Sequence, residues 1–210
     1  MTPAEQQPLL IFPCNGNGIE ALDCLGDAYR LIGFVDDTQE KQGANVQGSS
    51  VYGREVLARW PEARILAVPG SPTSYRMRKQ IIESLGIGAD RFVSLIHPSA
   101  SVSQLAQIGR NVLIMAGVVI TSNAIIGDHV CVLPNTVIHH DVVIGAWSLI
   151  GSNVTIAGHT TVGENCYIGS GASIRTGLRV GDAALVGIGS NVIRDVAPGA
   201  KVVGNPARQI

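Results

Sequence analysis

The sequence predicts two joined architectures. A small, Rossmann-like parallel α/β sheet occupies residues 1–97, and a domain of short flat strands and tight corners occupies residues 98–210. Three observations lead there. First, the composition splits: residues 1–100 hold 20 of the 31 charged side chains and 7 of the 9 aromatics. Second, apolar runs alternate with helical patterns in that first half. Third, in the second half every sixth residue from Val102 to Val192 is Val or Ile, sixteen positions without a break.

Within the first half, Pro8–Cys14 reads as a buried strand. Gly18–Tyr29 reads as a short helix, Leu31–Val35 as a second strand ending in Asp36-Asp37, and Ile65–Val68 as a third strand closed by Pro69-Gly70-Ser71-Pro72. Ser74–Leu85 has the pattern of a basic amphipathic helix, and Arg91–Ile96 reads as a last strand. In the second half a period of six fits neither an α-helix nor an isolated strand. It fits short strands that each point one branched side chain inwards, joined by corners. Two residues before each Val or Ile stands mostly Ala, Ser, Thr, Cys or Val, and one residue after, Gly occurs eight times. Gly and Asn are expected to supply the unusual corner dihedrals.

The bulk properties narrow the function. Net charge is −1, with 15% charged and 46% hydrophobic residues. This excludes disorder and offers no basic excess for a nucleic acid or an anionic membrane. The longest apolar run, Val112–Ile120, is too short to span a bilayer. Met1-Thr2-Pro3-Ala4-Glu5 lacks the basic-then-apolar order of a secretory leader. Four cysteines (Cys14, Cys24, Cys131 and Cys166) show neither metal spacing nor disulfide density, so a cytoplasmic location is expected.

His139-His140-Asp141 stands out from the repeat. A neutral imidazole can take a proton near pH 7, and an adjacent carboxylate can fix its tautomer. By spacing alone, the motif fits either a general base or a solvated corner histidine.

The six-residue register resembles the hexapeptide-repeat acyltransferases, whose left-handed parallel β-helix stacks three hexapeptides into each coil. Within that group, Val137-Ile138-His139-His140-Asp141-Val142-Val143-Ile144-Gly145 is similar to the active-site stretch of nucleotide-sugar N-acetyltransferases, relatives of sialic-acid O-acetyltransferases. The resemblance implies acetyl-CoA as co-substrate, a nucleotide-linked amino sugar as acceptor, and a homotrimer with its active sites between subunits. It assigns His140 as base and Asp141 as its partner. It also places Gly158, His159, Gly187, Ile188, Lys201 and Arg208 as candidate acetyl-CoA contacts. Each glycine could equally mark a tight corner, and Lys201, Arg208 and His159 could equally be solvated. The family's second histidine, nine positions beyond the base, is Leu149 here. His159 stands one full coil after Asp141 and is a candidate for that role. No two of the five histidines are one or two whole coils apart, so no zinc site is expected. O-acetylation of a sugar, or non-catalytic binding of nucleotide sugars by a trimer, are the alternative functions.

The first half reads as the substrate holder. Asn15-Gly16-Asn17 follows the first strand, where backbone N–H groups can meet a phosphate. In relatives, Pro13 is usually Gly and Asn17 often His. Asp36 and Asp37 suit ribose hydroxyls or base N–H donors, and the resemblance places them on the nucleoside. Gly70 and Ser71 share that rim. Arg76 and Arg78 read as phosphate partners or as solvated charges.

Overall fold

The computed structural model describes residues 6–210. The Met1–Glu5 segment read above lies outside the described residues. The N-terminal part contains β1 (Gln7–Phe12), α1 (Gly16–Glu20), β2 (Tyr29–Val35), β3 (Asn45–Val46), β4 (Ser49–Tyr52), α2 (Val56–Arg59), β5 (Arg64–Ala67) and α3 (Arg78–Glu83). The sheet order is β3-β4-β2-β1-β5. Pairings β1–β2, β1–β5 and β2–β4 are parallel, while β3–β4 is an antiparallel hairpin. Leu9, Leu10 and Ile11 of the inner strand β1 are fully buried. This is why the strand reads as a continuous apolar run rather than an alternation. The β3–β4 hairpin and α2 do not stand out in the sequence. The hairpin turn is Gln47-Gly48, with φ of 51° and 79°, the left-handed pair that two-residue hairpins require.

Three readings of this half need correction. The helix expected over Gly18–Tyr29 is α1 followed by a 3-10 turn at Ala21–Cys24, and Tyr29 already opens β2. The helix expected over residues 74–85 is shorter: a 3-10 turn at Tyr75–Met77 leads into α3. The strand expected at Arg91–Ile96 is divided between two sheets. Phe92 bridges to Ile65 at the edge of the first sheet, whereas Leu95–Ile96 pairs with Leu113–Ile114. Leu95–Ile96 is thus the first rung of the second architecture, one repeat ahead of Val102.

That second architecture is a left-handed parallel β-helix. Its short strands each pair with the strand three hexapeptides on, as Val119 pairs with Val137 and Val137 with Thr155. Three faces result. One contains Leu95–Ile96, Leu113–Ile114, Cys131–Val132, Leu149–Ile150, Tyr167–Ile168 and Leu185–Val186, and continues into Lys201–Val203. The second runs from Ser101–Val102 to Asn191–Val192, and the third from Gln107–Ile108 to Arg179–Val180. The inward Val and Ile side chains stack with the small residues two places earlier, such as Ala124, Cys166 and Ala172, into one buried column.

Corner geometry departs from the sequence expectation. The left-handed residue lies three places after the inward aliphatic. Asn111, Asn123, Asn135, Asn153 and Asn165 have φ of 54–60° there, and Asp141, His129 and His159 share the conformation. Asn and Asp are the side chains that tolerate it best. The glycines one place after the aliphatic do not have positive φ. A Cβ on Gly145 would lie 2.5 Å from the Gly163 carbonyl carbon and 2.6 Å from Glu164 N. These glycines are required by the close approach of successive coils, not by their own dihedrals.

The first face seats the N-terminal sheet. Its outward side chains Leu113, Cys131, Leu149 and Tyr167 cluster with Leu9, Ile11, Cys24, Phe34 and Leu66. Polar clamps complete the seat. The Asn111 side-chain amide pairs with both backbone groups of Ala67 at 2.7 Å, on the edge of β5. Arg78 is fully buried and donates to the carbonyls of Trp147 (2.9 Å), His129 (2.6 Å) and Pro69. Arg76 donates to the carbonyls of Ala183 and Gly199. Both arginines therefore join the two architectures and neither is a free phosphate partner. Burial pulls Arg78 down to about 10, which still leaves it a cation at neutral pH.

Replacing Arg78 by Met strands three buried carbonyls, each worth about 1 kcal/mol or more. The expected loss is at least about 3 kcal/mol, read as a lower urea midpoint, with Arg78→Lys intermediate. A midpoint for Arg78→Met equal to wild type would contradict the clamp.

Candidate active site

His139-His140-Asp141 forms the corner between the second and third faces, between strands Val137–Ile138 and Val143–Ile144. The return of the coil places Asn123, Asp141 and His159 in one column, all in the left-handed conformation. Asn123 Nδ2, from the coil before, donates to Asp141 Oδ1 at 3.1 Å across a sequence separation of 18. His140 Nδ1 lies 2.8 Å from Asp141 Oδ2, and His159 Nδ1 lies 3.9 Å from the same oxygen. The two imidazoles meet edge to face, with centroids 5.0 Å apart.

The hydrogen bond from His140, then the one from Asn123, hold Asp141 below the ordinary carboxylate range. An ionised carboxylate only accepts. The proton in the 2.8 Å contact therefore sits on His140 Nδ1, and in the neutral ring Nε2 keeps its lone pair. The His140 side chain is 50% exposed. Because Asp141 is held low, it stays ionised above the ordinary carboxylate pKa and loses its charge only as pH falls through its lower folded value. Mild acidification to about pH 5 therefore leaves it charged, and loss of activity there belongs to another group.

Gly158 packs directly against the His140 ring. A Cβ there would lie 2.7 Å from both Cε1 and Nε2 of His140. Thr176 Oγ1 in turn donates to Gly158 O at 2.6 Å. Gly158 and His159 thus join the His140–Asp141 pair. Gly187 and Ile188 lie on a different prism edge, between the first and second faces, with Ile188 76% exposed. Lys201 and Arg208 lie exposed on the last strands of the first face. Leu149 is buried in the seat of the N-terminal sheet and does not face His140, so its side chain packs and performs no chemistry. Sequence reasoning missed Asn123. Its only signal is arithmetic, a position one coil before Asp141.

A second feature lies at the carboxyl ends of β1, β2 and β5. A cleft of about 290 Å³ is lined by Phe12, Pro13, Asp36, Asp37, Lys41 and Arg54, among others. Asp36 is buried, accepts from Thr38 N at 2.9 Å and pairs with Lys41 at 3.0 Å. Burial pushes its pKa up, but the bonds from Thr38 and Lys41 outweigh that and hold it low. Asp37 binds Arg54 through two contacts of 2.6 and 2.7 Å. Lys41 and Arg54 are cations that the sequence reading did not single out. Asn15 accepts from Gly18 N at 2.9 Å as the N-cap of α1, so its oxygen is engaged. Gly16, Asn17, Gly70 and Ser71 are not among the residues lining the cleft. Ser71 hydrogen-bonds Thr73 and Ser74 instead.

A parallel prism of hexapeptide rungs with an imidazole–carboxylate pair on one corner defines a hexapeptide-repeat acyltransferase. Residues 93–186 match the family described as GMPPB C-terminal domain. The chain is 31% identical to the acetyltransferase domain of PglB from Neisseria gonorrhoeae, solved with acetyl coenzyme A. That match covers 98% of this chain and 100% of the other, with a TM-score of 0.85. It is 26% identical to a mutant of perosamine N-acetyltransferase from Caulobacter crescentus in complex with CoA and GDP-perosamine, over 99% of this chain and 98% of that one, with a TM-score of 0.86. A stretch of 40 residues is 58% identical to UDP-N-acetylbacillosamine N-acetyltransferase of Bacillus subtilis. That match takes in 19% of this chain and 18% of that curated relative's length. The chain belongs to the hexapeptide-repeat sugar acetyltransferases, in the family of nucleotide-amino-sugar N-acetyltransferases.

Gly158→Ala should push the His140 ring off Asp141. Misplacement of about 1 Å can cost roughly 100-fold in rate. The expected result is a kcat for acetyl transfer lower by about that factor, with little change in melting temperature. Unchanged kcat would show that the ring is not held by this contact.

Proposed function

We propose that this protein transfers an acetyl group from acetyl-CoA to the amine of a nucleotide-linked amino-deoxy sugar. The observation that carries the reading is the 2.8 Å His140 Nδ1–Asp141 Oδ2 contact, which leaves Nε2 as the only basic nitrogen of the ring. Support comes from the near-complete overlap with a perosamine N-acetyltransferase bound to CoA and GDP-perosamine. His140 Nε2 accepts the proton released as the sugar amine attacks the thioester carbonyl. Asp141 stabilises the imidazolium that forms. On collapse of the tetrahedral intermediate the C–S bond breaks, and His140 returns the proton to the leaving thiolate. Direct transfer requires no covalent enzyme intermediate, and no metal takes part.

The N-terminal unit holds the nucleotide, and the β-helix, from its first rung at Leu95–Ile96, carries the transfer chemistry. Lys41 and Arg54 are the groups suited to a diphosphate. Asp37, Gly16, Asn17, Gly70 and Ser71 are its candidate neighbours, while Asp36 and Asn15 act through the loops they organise. Gly158 and His159 flank the acetyl end of CoA. Gly187, Ile188, Lys201 and Arg208 are candidate CoA contacts contributed across a subunit boundary. They lie away from the His140 edge, so a homotrimer that sets one copy's edge against another's would unite them. Among the described residues no helix is long and apolar enough to cross a membrane, in keeping with action in the cytoplasm on soluble substrates.

His140→Asn should lower kcat by about 10²–10⁴ in an assay of thiol release from acetyl-CoA, with acetyl-CoA affinity retained. Initial rates should fit a sequential scheme and require an amino sugar rather than its hydroxy counterpart. Ping-pong kinetics, equal rates with the hydroxy sugar, or full activity of the variant would each contradict the proposal.

A further inference from the structure

The catalytic corner contains more than a base and its partner. His140, Asp141 and His159 each offer a ligand atom, and these atoms lie within 4.8 Å of one another. We propose that this corner is also a binding site for one divalent transition-metal ion of the zinc class, held by His140, Asp141 and His159, and that its occupancy switches off the general base.

The geometry suits the ion. Tetrahedral zinc bound by nitrogen and oxygen at about 2.0–2.2 Å sets its ligand atoms about 3.3–3.6 Å apart. The observed separations from Asp141 Oδ2, 2.8 Å to His140 Nδ1 and 3.9 Å to His159 Nδ1, bracket that range. Two imidazoles and one carboxylate favour zinc over magnesium or calcium. Asn123 already fixes the other carboxylate oxygen, as outer-shell partners of metal sites do. The corner is partly exposed, so an ion can enter. Histidine-to-histidine spacing gives no sign of this site, because it joins an aspartate to a histidine one coil on and to a second histidine beside the aspartate.

The consequence follows from the tautomer. To ligate through Nδ1, neutral His140 gives up the proton it shares with Asp141 and takes one from solvent at Nε2, a tautomer change with no net release of protons. The neutral ring then carries its single proton on Nε2, where the lone pair would otherwise accept from the amine. A metal-bound His140 is not a base. Affinity should fall as pH falls, because protons compete for the same atoms. The four cysteines are buried, so thiols do not compete for the ion in the folded chain. The metal site stands apart from the acetyltransferase reading, and only its inhibitory effect rests on that reading.

The test is zinc titration of the full-length, chelator-stripped protein against a chromophoric zinc indicator, without acetyl-CoA. Wild type should take up one ion per chain. His159→Asn, which retains a residue suited to the left-handed corner, should bind at least about tenfold more weakly. His139→Asn should bind as wild type does. Equal affinity in wild type and His159→Asn, or no saturable binding below roughly 1 mM, overturns the site. In a parallel assay, thiol release should stop over the same zinc range and return with EDTA. Zinc bound at the site with transfer unaffected overturns the switch. Zinc bound as expected, with no transfer under any condition, supports the metal site and refutes the acetyltransferase reading instead.

Discussion

The return of the coil after every third hexapeptide is the constraint on which the rest depends. Backbone hydrogen bonds join each short strand to the one a full coil away, as Val137 N–H bonds Val154 O and Thr155 N–H bonds Ala172 O. Each residue is thereby locked beside its equivalent in the next coil, with almost no freedom of register. A slip by a single position would turn every inward Ile or Val outwards. The buried aliphatic column and the asparagine corners both oppose that slip, one through the cost of exposing apolar area and the other through backbone dihedrals.

This lock does for the active corner what a web of supporting side chains does in many enzymes. Asn123, Asp141 and His159 meet because they occupy the same place on three successive coils. Gly158 offers no side chain because the imidazole from the coil before occupies that space. The orientation of His140 is therefore set by backbone periodicity and by one missing Cβ, on a rigid element rather than a mobile loop. The same periodicity arranges the domain seat. Leu113, Cys131, Leu149 and Tyr167 form an apolar ladder against which the N-terminal sheet packs, and Arg78 fills the polar gap beside it.

Much of this was legible in the residues. The unbroken Val/Ile series specifies the prism, and the His140-Asp141 pair on a corner specifies where chemistry can occur. What escaped has physical reasons. The glycines after the inward aliphatics look like turn residues, yet they are needed for close approach between coils, a contact with no local sequence signature. The apolar ladder recurs only once per coil, so a hexapeptide reading averages it with the polar positions of the other two faces. Arg76 and Arg78 read as surface charges because their partners are backbone carbonyls up to 123 positions away, and carbonyls leave no mark in a sequence. Asn15 and Asp36 sit where ligand groups are expected, but their oxygens are used locally by Gly18, Thr38 and Lys41. Short-range hydrogen bonding of this kind competes with function at any Asn or Asp in a loop.

The proposed chemistry depends on the tautomer of one ring. An ionised Asp141 2.8 Å from Nδ1 favours the form of His140 whose proton sits on Nδ1 and whose Nε2 keeps its lone pair. Long-range proton–nitrogen NMR of ¹⁵N-histidine-labelled protein, with His140 assigned by its loss in His140→Asn, measures this directly. The account predicts a pyrrole-type Nδ1 and a pyridine-type Nε2 at neutral to mildly alkaline pH. A protonated Nε2 with a bare Nδ1 would contradict it.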